Sequence, residues 1–556
     1  MDQSVNAESN LRTGGQILID QLVAQGVERV TCVPGESYLA ALDALHDSKI
    51  DVMICRAEGG AAMMAEAYGK LTGRPGICFV TRGPGASNAC HGVHIAMQDS
   101  TPMILFVGQV DTGMREREAF QEVDYKAMFG SIAKWAVEID RPDRIPELVA
   151  RAFRVALQGR RGPVVIALPE NMLTETASVS DAPRVEPAIA WPAPSDIERL
   201  GTLLAQASAP IVILGGSGWD EAATKGIARF AERFDLPVAT SFRRASLFDA
   251  DHPHYAGDLG IGPDPRLKAR VTGADLVLLI GGRLSEMPSS SYTLLDIPSP
   301  RQRLVHVHPG AEELGRVYQP TLAIEASPIA FAQAIERLTH QTAPAWKGAA
   351  AKAHADYLDW TEKPRELPGA FQYGQVVGWL RERLPKNAIV CNGAGNYAGW
   401  LHRHHRFHAF AAQLAPTSGS MGYGVPAAVI AKRQYPERVV VAFAGDGCFL
   451  MNGQEFATAV QHGAAVIVVI IDNGQYGTIR MHQEREYPGR VVGTQLQNPD
   501  FALYAKAFGG HGERVERTAD FAPAFERALA SGKPAILHCL LDPRAISVSK
   551  DFGPGN

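Results

Sequence analysis

The sequence predicts an α/β protein of three doubly wound domains, each with a parallel sheet between layers of helices. Short β-branched runs alternate with helical patterns through most of the 556 residues, as in parallel sheets with helical crossovers. Segments rich in proline and alanine interrupt this alternation near residues 182–195 and 342–369, which is typical of linkers. At ~100–200 residues per domain the length corresponds to about three domains. We therefore expect domains over residues 1–183, 195–340 and 370–556.

Each domain is predicted from its own strands and helices. In the first, strands are expected at Arg29–Val33, Gly76–Thr81, Met103–Val107 and Val164–Ala167, and helices at Gly15–Gln25 and Gly60–Leu71. In the middle domain, strands are expected at Pro210–Leu214, Val238–Thr240, Leu276–Ile280 and Leu304–Val307, and the second linker could hold a helix at Ala345–Leu358. In the third, strands are expected at Ala388–Cys391, Val439–Ala444, Ala465–Ile471 and Ala535–Cys539, with a helix at Asn452–His462.

Composition excludes several functional classes. The net charge of -5 gives no indication of a nucleic-acid or membrane-surface binder. Seven scattered cysteines without a C-x-x-C pair argue against a disulfide framework or a zinc site and fit a reducing compartment. The first dozen residues are polar, and no apolar run reaches the ~18 residues of a membrane span. We therefore expect a soluble cytoplasmic protein.

Two short polar motifs follow neighbouring predicted strands in the third domain. Gly445-Asp446-Gly447 follows one strand, and Asp472-Asn473-Gly474 follows the next. Asn473 comes 27 residues after Asp446, a separation that one strand–helix–strand unit spans, so both side chains can meet at one sheet edge. Glycines allow close approach of a phosphate, and the aspartate supplies a hard oxygen for Mg²⁺. The alternative is a pair of unrelated turns, but the combined arrangement favours a metal and diphosphate site.

This pattern resembles the motif of thiamine-diphosphate-dependent enzymes, and the chain as a whole resembles the catalytic (large) subunit of acetolactate synthase. The resemblance implies thiamine diphosphate and Mg²⁺ as cofactors. It implies that Asp446, Asn473 and the backbone carbonyl of Gln475 hold the metal. Asp472 departs from the motif, which usually has a second asparagine there. The same resemblance places further residues at the cofactor: Pro34, Gly445, Gly447, Cys448, Tyr476 and Gly477.

Glu58 is the candidate for the glutamate that activates the cofactor. It lies in Cys55–Gly60, between a strand-like run and a helix. In the related family this glutamate forms a hydrogen bond with the pyrimidine N1′ and so promotes loss of the thiazolium C2 proton. The segment keeps Arg56 and Glu58 but has Ala57 where acetolactate synthases have histidine. The alternative role is a carboxylate that stabilises a helix N-terminus.

Other segments resemble the parts of the family's site that surround the cofactor. Met421 occupies the position of the hydrophobic wedge that bends the cofactor, although a thioether filling a core gap is the alternative. Gly395 and Asn396 lie in a loop like the one that closes over the diphosphate. Gln121, in Ala119–Glu122, and Lys134 resemble residues at the active-site entrance, where Lys134 could attract a carboxylate substrate.

Several positions depart from acetolactate synthase. His482 stands where that family has a tryptophan that selects the second 2-oxo acid; a histidine could shuttle a proton there or simply lie on the surface. The family's FAD site uses paired arginines, of which only Arg283 is matched, with Met287 near the second position. FAD binding is therefore left open. His91 and His94 have a spacing that suits a metal, but packing or capping roles are favoured because no further ligand joins them.

The resemblance implies carboligation and decarboxylation of 2-oxo acids by a lyase or transferase. It also implies a homodimer or homotetramer whose active sites lie between subunits. The alternatives are a 2-oxo acid decarboxylase, a hydroxyacyl-CoA lyase or, in another class, a catalytically silent cofactor-binding protein. The presence of Glu58, Asp446 and Asn473 in one chain argues against the silent protein.

Overall fold

The computed structural model describes residues 11–339 and 344–551. The chain divides into two compact units, with the division after Ala188. The first unit contains one large sheet, called here the first sheet, and the second unit contains two, called the middle and third sheets. All three have six parallel strands with helices packed against them, which confirms the predicted fold class.

The first sheet has the strand order β3-β2-β4-β5-β7-β6. The strands of the first unit are β1 (Arg12–Thr13), β2 (Arg29–Cys32), β3 (Asp51–Ile54), β4 (Gly76–Val80), β5 (Met103–Gln109), β6 (Trp135–Glu138), β7 (Pro163–Pro169) and β8 (Thr176–Ala177). Its α-helices are α1 (Gly14–Ala24), α2 (Leu39–His46), α3 (Glu58–Thr72), α4 (Pro84–Asp99), α5 (Tyr125–Phe129), α6 (Ile145–Leu157) and α7 (Glu170–Thr174). Strands β4, β5 and β7 are buried along their whole length, as expected for a parallel sheet covered on both faces.

The middle sheet has the order β11-β10-β9-β12-β13-β14. Its strands are β9 (Pro210–Leu214), β10 (Val238–Ser241), β11 (Tyr255–Leu259), β12 (Leu276–Ile280), β13 (Arg303–His308) and β14 (Leu322–Glu325). The neighbouring helices are α8 (Pro194–Ala205), α9 (Glu221–Phe234), α10 (Pro265–Thr272), α11 (Pro328–Ala334) and α12 (Ala349–Glu362). Numbered from its own first strand the order is 3-2-1-4-5-6, so the crevice suited to a nucleotide lies between β9 and β12.

The third sheet has the order β16-β15-β17-β18-β20-β19. Its strands are β15 (Ile389–Asn392), β16 (Gln413–Leu414), β17 (Val440–Gly445), β18 (Ile467–Asp472), β19 (His511–Val515) and β20 (Ala535–Leu540). Its helices are α13 (Tyr373–Arg383), α14 (Tyr397–His404), α15 (Gly424–Gln434), α16 (Asp446–Phe449), α17 (Glu455–Gln461), α18 (Gly477–Glu486), α19 (Phe501–Ala507) and α20 (Thr518–Ala530). Numbered from their own first strands, the first and third sheets share the order 2-1-3-4-6-5.

Short one-turn 3₁₀ segments complete the regular structure. They are Glu36–Tyr38, Thr112–Met114, Pro142–Arg144, Ala245–Leu247, Ala311–Glu313 and Ile335–Arg337. Within residues 11–339 and 344–551, no helix has the length and apolar character needed to cross a bilayer.

The predicted strands all form, with ends that differ by a residue or two. The prediction missed mainly strands at or near sheet edges, such as β14 and β19, whose sequences LAIE and HGERV are short and partly charged. Edge strands carry such residues to avoid pairing with other chains, and this weakens the apolar pattern. The helix predicted at Asn452–His462 begins only at Glu455, because Asp446–Phe449 forms its own turn of helix directly after the strand. The domain boundaries at residues 183, 195, 340 and 370 remain a prediction.

Candidate active site

A cavity of about 240 Å³ lies in the second unit, where β17 and β18 end. Parallel strands place their carboxyl ends at one edge, so the loops that follow them share this cavity. Its lining includes every cofactor or metal residue predicted in the third domain: Gly395, Asn396, Met421, Gly445, Asp446, Gly447, Cys448, Asn473, Gln475, Tyr476 and Gly477. The structure therefore brings together residues that are separated by up to 82 positions in the chain.

Asp446 is a buried carboxylate in the lining of this cavity. Asp446 begins α16 directly after β17 and is 3% exposed. Burial raises its pKa to about 6, and the nearby charge of Asp472 acts in the same direction, while a hydrogen bond from Asn498 opposes them. Two neighbouring carboxylates, one of them buried, are stabilised in their charged form by a nearby positive charge, which a bound cation would supply.

Two further oxygen donors line the same cavity. Asn473 follows β18, and its side-chain amide has no hydrogen-bond partner among the described residues. Tyr476 has φ -73° and ψ 75°, an inverse γ-turn in which Gly477 N donates to the Gln475 carbonyl oxygen at 2.9 Å. That oxygen keeps a second lone pair. Carboxylate, carboxamide and backbone carbonyl oxygens are the hard donors that Mg²⁺ prefers, so these residues fit the metal.

Two glycines that line the cavity pack closely against tyrosine rings. A Cβ atom on Gly447 would lie 2.4 Å from Tyr476 Cε1, and one on Gly445 would lie 3.0 Å from Tyr397 Cδ1. A larger residue at Gly447 would therefore force the Tyr476 ring to move. Both glycines line the cavity and carry no side chain, so a diphosphate could approach their backbone closely.

Tyr397 stabilises two loops around the cavity through its hydroxyl group. Its hydroxyl accepts a hydrogen bond from Gly393 N at 3.0 Å and contacts Cys448 Sγ at 3.4 Å. The same sulfur accepts from Gly422 N at 3.3 Å. Cys448, predicted at the cofactor, thus also anchors the turn that carries Met421. Met421 is half-buried and packs against the third-domain core while lining the cavity, which fits both the wedge and the packing role.

The backbone N–H and the side-chain amide of Asn396 all form hydrogen bonds within the protein. Its backbone N–H donates to Thr478 Oγ1 at 2.9 Å, its Oδ1 accepts from the same hydroxyl at 3.0 Å, and its Nδ2 donates to Ile546 O at 2.8 Å. The side chain ties α14 to α18 and to the segment after β20. Its contribution to a cofactor therefore comes from the position of its loop.

Arg243, after β10 in the same unit, was not predicted to support the site. It is 4% exposed, and its guanidinium donates to Gly393 O at 2.9 Å and to Pro416 O. A middle-domain side chain therefore holds the same glycine whose N–H binds Tyr397. A buried arginine without a sequence motif gives no local signal of this role.

Asn498 and His538 were also missed by sequence reasoning. Asn498 Nδ2 donates to Asp446 Oδ2 at 2.7 Å and to Asp472 Oδ1 at 2.8 Å. His538 Nε2 lies 2.9 Å from Asp472 Oδ2. Burial alone would raise the pKa of Asp472, but hydrogen bonds from His538, Gly474 N and Asn498 outweigh it and keep this pKa below its ordinary value.

Glu58 lies in the first unit, as the first residue of α3 beyond β3. It is half-buried, and its Oε2 accepts from Asn88 Nδ2 at 3.0 Å. Asn88 belongs to α4, which packs closely on α3. This contact orients the carboxyl group and leaves Oε1 without a hydrogen-bond partner among the described residues. The arrangement fits both the activating role and the helix N-terminal role.

Pro34 and Gln121 lie at the same edge of the first sheet as Glu58. Pro34 follows β2 and is exposed. Gln121 is in the left-handed region with φ 66° and packs on Gly83, whose Cβ would lie 2.7 Å from that of Gln121. Gly83 precedes α4, the helix that carries the Asn88 partner of Glu58. The first unit thus places these three predicted residues at one sheet edge.

The remaining predicted positions lie elsewhere. His482 is half-buried on α18 and does not line the cavity. His91 and His94 are exposed on α4 and belong to no cluster of metal-ligand geometry among the described residues. Lys134 Nζ donates to the carbonyl oxygens of Val155 and Gln158. Lys134 thus covers the end of α6, and the suggested substrate contact is replaced by a structural one.

The middle sheet carries only part of the family's paired-arginine pattern, and FAD binding stays the open question that the sequence left. At its crevice the two glycine loops are in direct contact, since a Cβ on Gly216 would lie 1.8 Å from Gly281 O. The Trp219 indole N–H donates to Gly215 O beside them. Met287, near the position expected for the second arginine, lines a cavity of about 540 Å³ together with Glu286. These residues do not fit the paired-arginine site, and we assign no step to a flavin.

Comparison with known families agrees with this geometry. Three models of thiamine pyrophosphate enzymes match the chain: the N-terminal TPP binding domain over residues 12–128, the central domain over 197–335 and the C-terminal TPP binding domain over 393–539. The chain belongs to the thiamine-diphosphate-dependent enzymes. It binds thiamine diphosphate and acts on carbon–carbon bonds.

Its relatives include large subunits of acetolactate synthase. The chain is 29% identical to the acetolactate synthase isozyme 2 large subunit of Escherichia coli K12, over 95% of each chain. It is 31% identical to the acetolactate synthase large subunit of Parasynechococcus marenigrum, over 90% of this chain and 83% of the relative. It is 26% identical to the acetolactate synthase of Bacillus subtilis, over 95% and 93%.

Proposed function

We propose that this enzyme is an acetolactate-synthase-like carboligase that uses thiamine diphosphate and Mg²⁺ to decarboxylate one 2-oxo acid and join the remaining fragment to a second carbonyl compound. The observation that carries the proposal is the cavity in which Asp446, Asn473 and Gln475 present oxygen ligands beside glycine backbone. Similarity to acetolactate synthases along almost the whole chain supports it. The cofactor, when bound, supplies the electron sink for breaking and forming the carbon–carbon bond.

The chain's own residues would bind and orient the cofactor and the metal. Asp446, Asn473 and the Gln475 carbonyl would hold the metal, and the backbone at Gly445 and Gly447 would receive the diphosphate. Met421 would press on the cofactor from the cavity wall. Tyr397 and Arg243 fix the Gly393 loop and so keep the cavity in shape before a ligand arrives.

Glu58 would exchange a proton with the pyrimidine ring. Asn88 holds its Oε2, so the carboxyl group has a fixed direction and its other oxygen can bind the cofactor. General acid–base groups of this kind contribute about 10²–10⁴-fold to a rate.

That two copies of the chain complete each active site remains a prediction of the resemblance. Mixing two inactive variants tests it, because Glu58→Gln and Asp446→Asn alter different halves of the site. If subunits share sites, re-assembly of the mixture restores part of the activity. Shared sites would be contradicted if the mixture stays inactive although each variant is folded and assembles like the wild type in light-scattering analysis.

A second candidate is a 2-oxo acid decarboxylase that releases an aldehyde. One observation favours it: α18 carries His482 where a synthase has tryptophan, and no residue of this helix is buried. A large aromatic surface for a second 2-oxo acid is thus missing at this position, and a histidine can deliver a proton.

Product analysis separates the two candidates. The purified enzyme is incubated with thiamine diphosphate, Mg²⁺ and a panel of 2-oxo acids, and carbon dioxide and organic products are identified. Acetolactate from pyruvate supports the carboligase. Aldehyde alone from every 2-oxo acid would overturn it in favour of the decarboxylase. His482→Trp is the matched variant: it should shift products toward carboligation if this position selects the acceptor.

A further inference from the structure

A hydrogen-bonded chain of four side chains runs from β20 to the proposed metal ligand. His538 binds Asp472 (2.9 Å), Asp472 binds Asn498 (2.8 Å), and Asn498 binds Asp446 (2.7 Å). The four residues come from β20, the end of β18, the loop before α19 and the start of α16. Tertiary structure alone brings them together.

The Asn498 side chain is held in place by its own loop. Leu496 N donates to Gly474 O, and Tyr476 N donates to Thr494 O, each at 2.8 Å, so this loop is fixed against the turn that follows β18. On the other side, the Asp500 side chain caps α19 through Ala502 N at 2.8 Å. Asn498 therefore has little freedom to move away from the two carboxylates.

The far end of the chain is equally fixed. The His538 side chain is 3% exposed, and its Nδ1 accepts from Phe501 N at 3.3 Å. Because Nδ1 is an acceptor, Nε2 carries the hydrogen and donates it to Asp472. Gly474 N donates to the other oxygen of Asp472 at 2.9 Å. Asp472, which replaces the usual asparagine of the motif, thus has donors on both oxygens.

We propose that Asn498 is a positioning residue for the metal ligand Asp446, and that Asp472 and His538 hold Asn498 in turn. A single NH₂ group donates to both carboxylates, so it fixes the rotation of Asp446 and keeps two negative charges close together at the cation site. The Asn498 Oδ1 atom is buried and has no partner among the described residues, so the NH₂ group makes the hydrogen bonds of this side chain. The inference depends on the proposed metal site.

Metal affinity tests the inference without catalysis. Mn²⁺ binding to the protein saturated with thiamine diphosphate is followed by electron paramagnetic resonance, and cofactor affinity is measured separately at saturating Mg²⁺. Residues that orient a ligand typically contribute 10–100-fold to metal affinity. Asn498→Ala should therefore weaken Mn²⁺ binding at least about 10-fold, with a smaller change in cofactor affinity once the metal is saturating. Asn498 cannot position Asp446 if Mn²⁺ affinity changes less than about twofold in this variant.

Controls separate this inference from the proposed function and from misfolding. Gln495→Ala alters an exposed side chain on the same loop, whose backbone pairs with Gln475, and should leave Mn²⁺ affinity unchanged. Asp446→Asn should abolish Mn²⁺ binding; if it does not, the metal site itself is wrong, whatever Asn498 does. The circular dichroism spectrum of Asn498→Ala must match that of the wild type. If the Ala variant is misfolded, Asn498→Ser, which retains a hydrogen-bond donor, is used in its place.

A double variant tests the chain as a unit. Residues in one hydrogen-bond network have non-additive effects. If Asp472 acts through Asn498, Asn498→Ala/Asp472→Asn should bind Mn²⁺ no more weakly than Asn498→Ala alone. Fully additive losses would show that Asp472 acts independently, and this part of the inference would fail.

Discussion

Two buried tyrosines allow a controlled test of how the cofactor loop is held. The Tyr397 hydroxyl accepts the Gly393 N–H at 3.0 Å, whereas the Tyr373 hydroxyl is buried without a hydrogen-bond partner among the described residues. Both rings belong to the core of the third domain. Tyr397→Phe leaves a buried N–H unpaired, which costs about 1–3 kcal/mol, while Tyr373→Phe removes a polar atom that had no partner and should be neutral or stabilising.

Hydrogen–deuterium exchange at Gly393 measures this difference locally. A loss of about 1–3 kcal/mol corresponds to amide exchange roughly 5- to 150-fold faster in Tyr397→Phe. The loop lines the cavity, so we also expect weaker thiamine diphosphate binding in this variant, measured by fluorescence titration. Tyr373→Phe should match the wild type in both measurements. Equal exchange rates in the two variants would refute the argument that Tyr397 anchors the loop.

Three further predictions follow from the site and its surroundings. Asp446→Asn should remove the Mg²⁺ dependence of cofactor binding, and calorimetric titration with and without Mg²⁺ checks this. Gly447→Ala should weaken cofactor binding at least about 10-fold, because the added methyl group would lie 2.4 Å from Tyr476; unchanged affinity would mean that the ring moves at no cost. Burial, aided by the charge of Arg243, lowers the pKa of His402 to about 3, so the folded protein keeps it neutral. Below the ordinary pKa of about 6.5, only the unfolded state takes up a proton on His402. The free energy of unfolding therefore keeps its full value above this pH and falls below it by up to about 1.4 kcal/mol per pH unit. His402→Phe should therefore reduce the loss of thermal stability between pH 6.5 and pH 5, and an unchanged slope would contradict the assignment.

The sequence predicted the cavity because its residues occupy local patterns. Gly445–Gly447 and Asp472–Gly474 each follow an apolar strand, and parallel sheets bring such ends together. Met421 and Gly395 were found through resemblance to the family, and both line the same cavity.

Residues that act through tertiary contacts could not be predicted in this way. Asn498 lies 52 residues after Asp446 and has no motif around it that points to the metal site. His538 lies inside a buried strand, where its neighbours are apolar and its contact with Asp472 depends on the register of β18 and β20. Arg243 reaches Gly393 across 150 residues.

Exchange of the C2 proton of bound thiamine diphosphate tests the account most directly, because it needs no substrate. Acid quench after incubation in D₂O, followed by proton NMR of the released cofactor, compares the wild type with Glu58→Gln. The account predicts fast exchange in the wild type and exchange slower by about 10²–10⁴-fold in the variant, with both proteins saturated by cofactor and Mg²⁺. Equal exchange rates in the two proteins would contradict the activating role of Glu58 and the mechanism built on it.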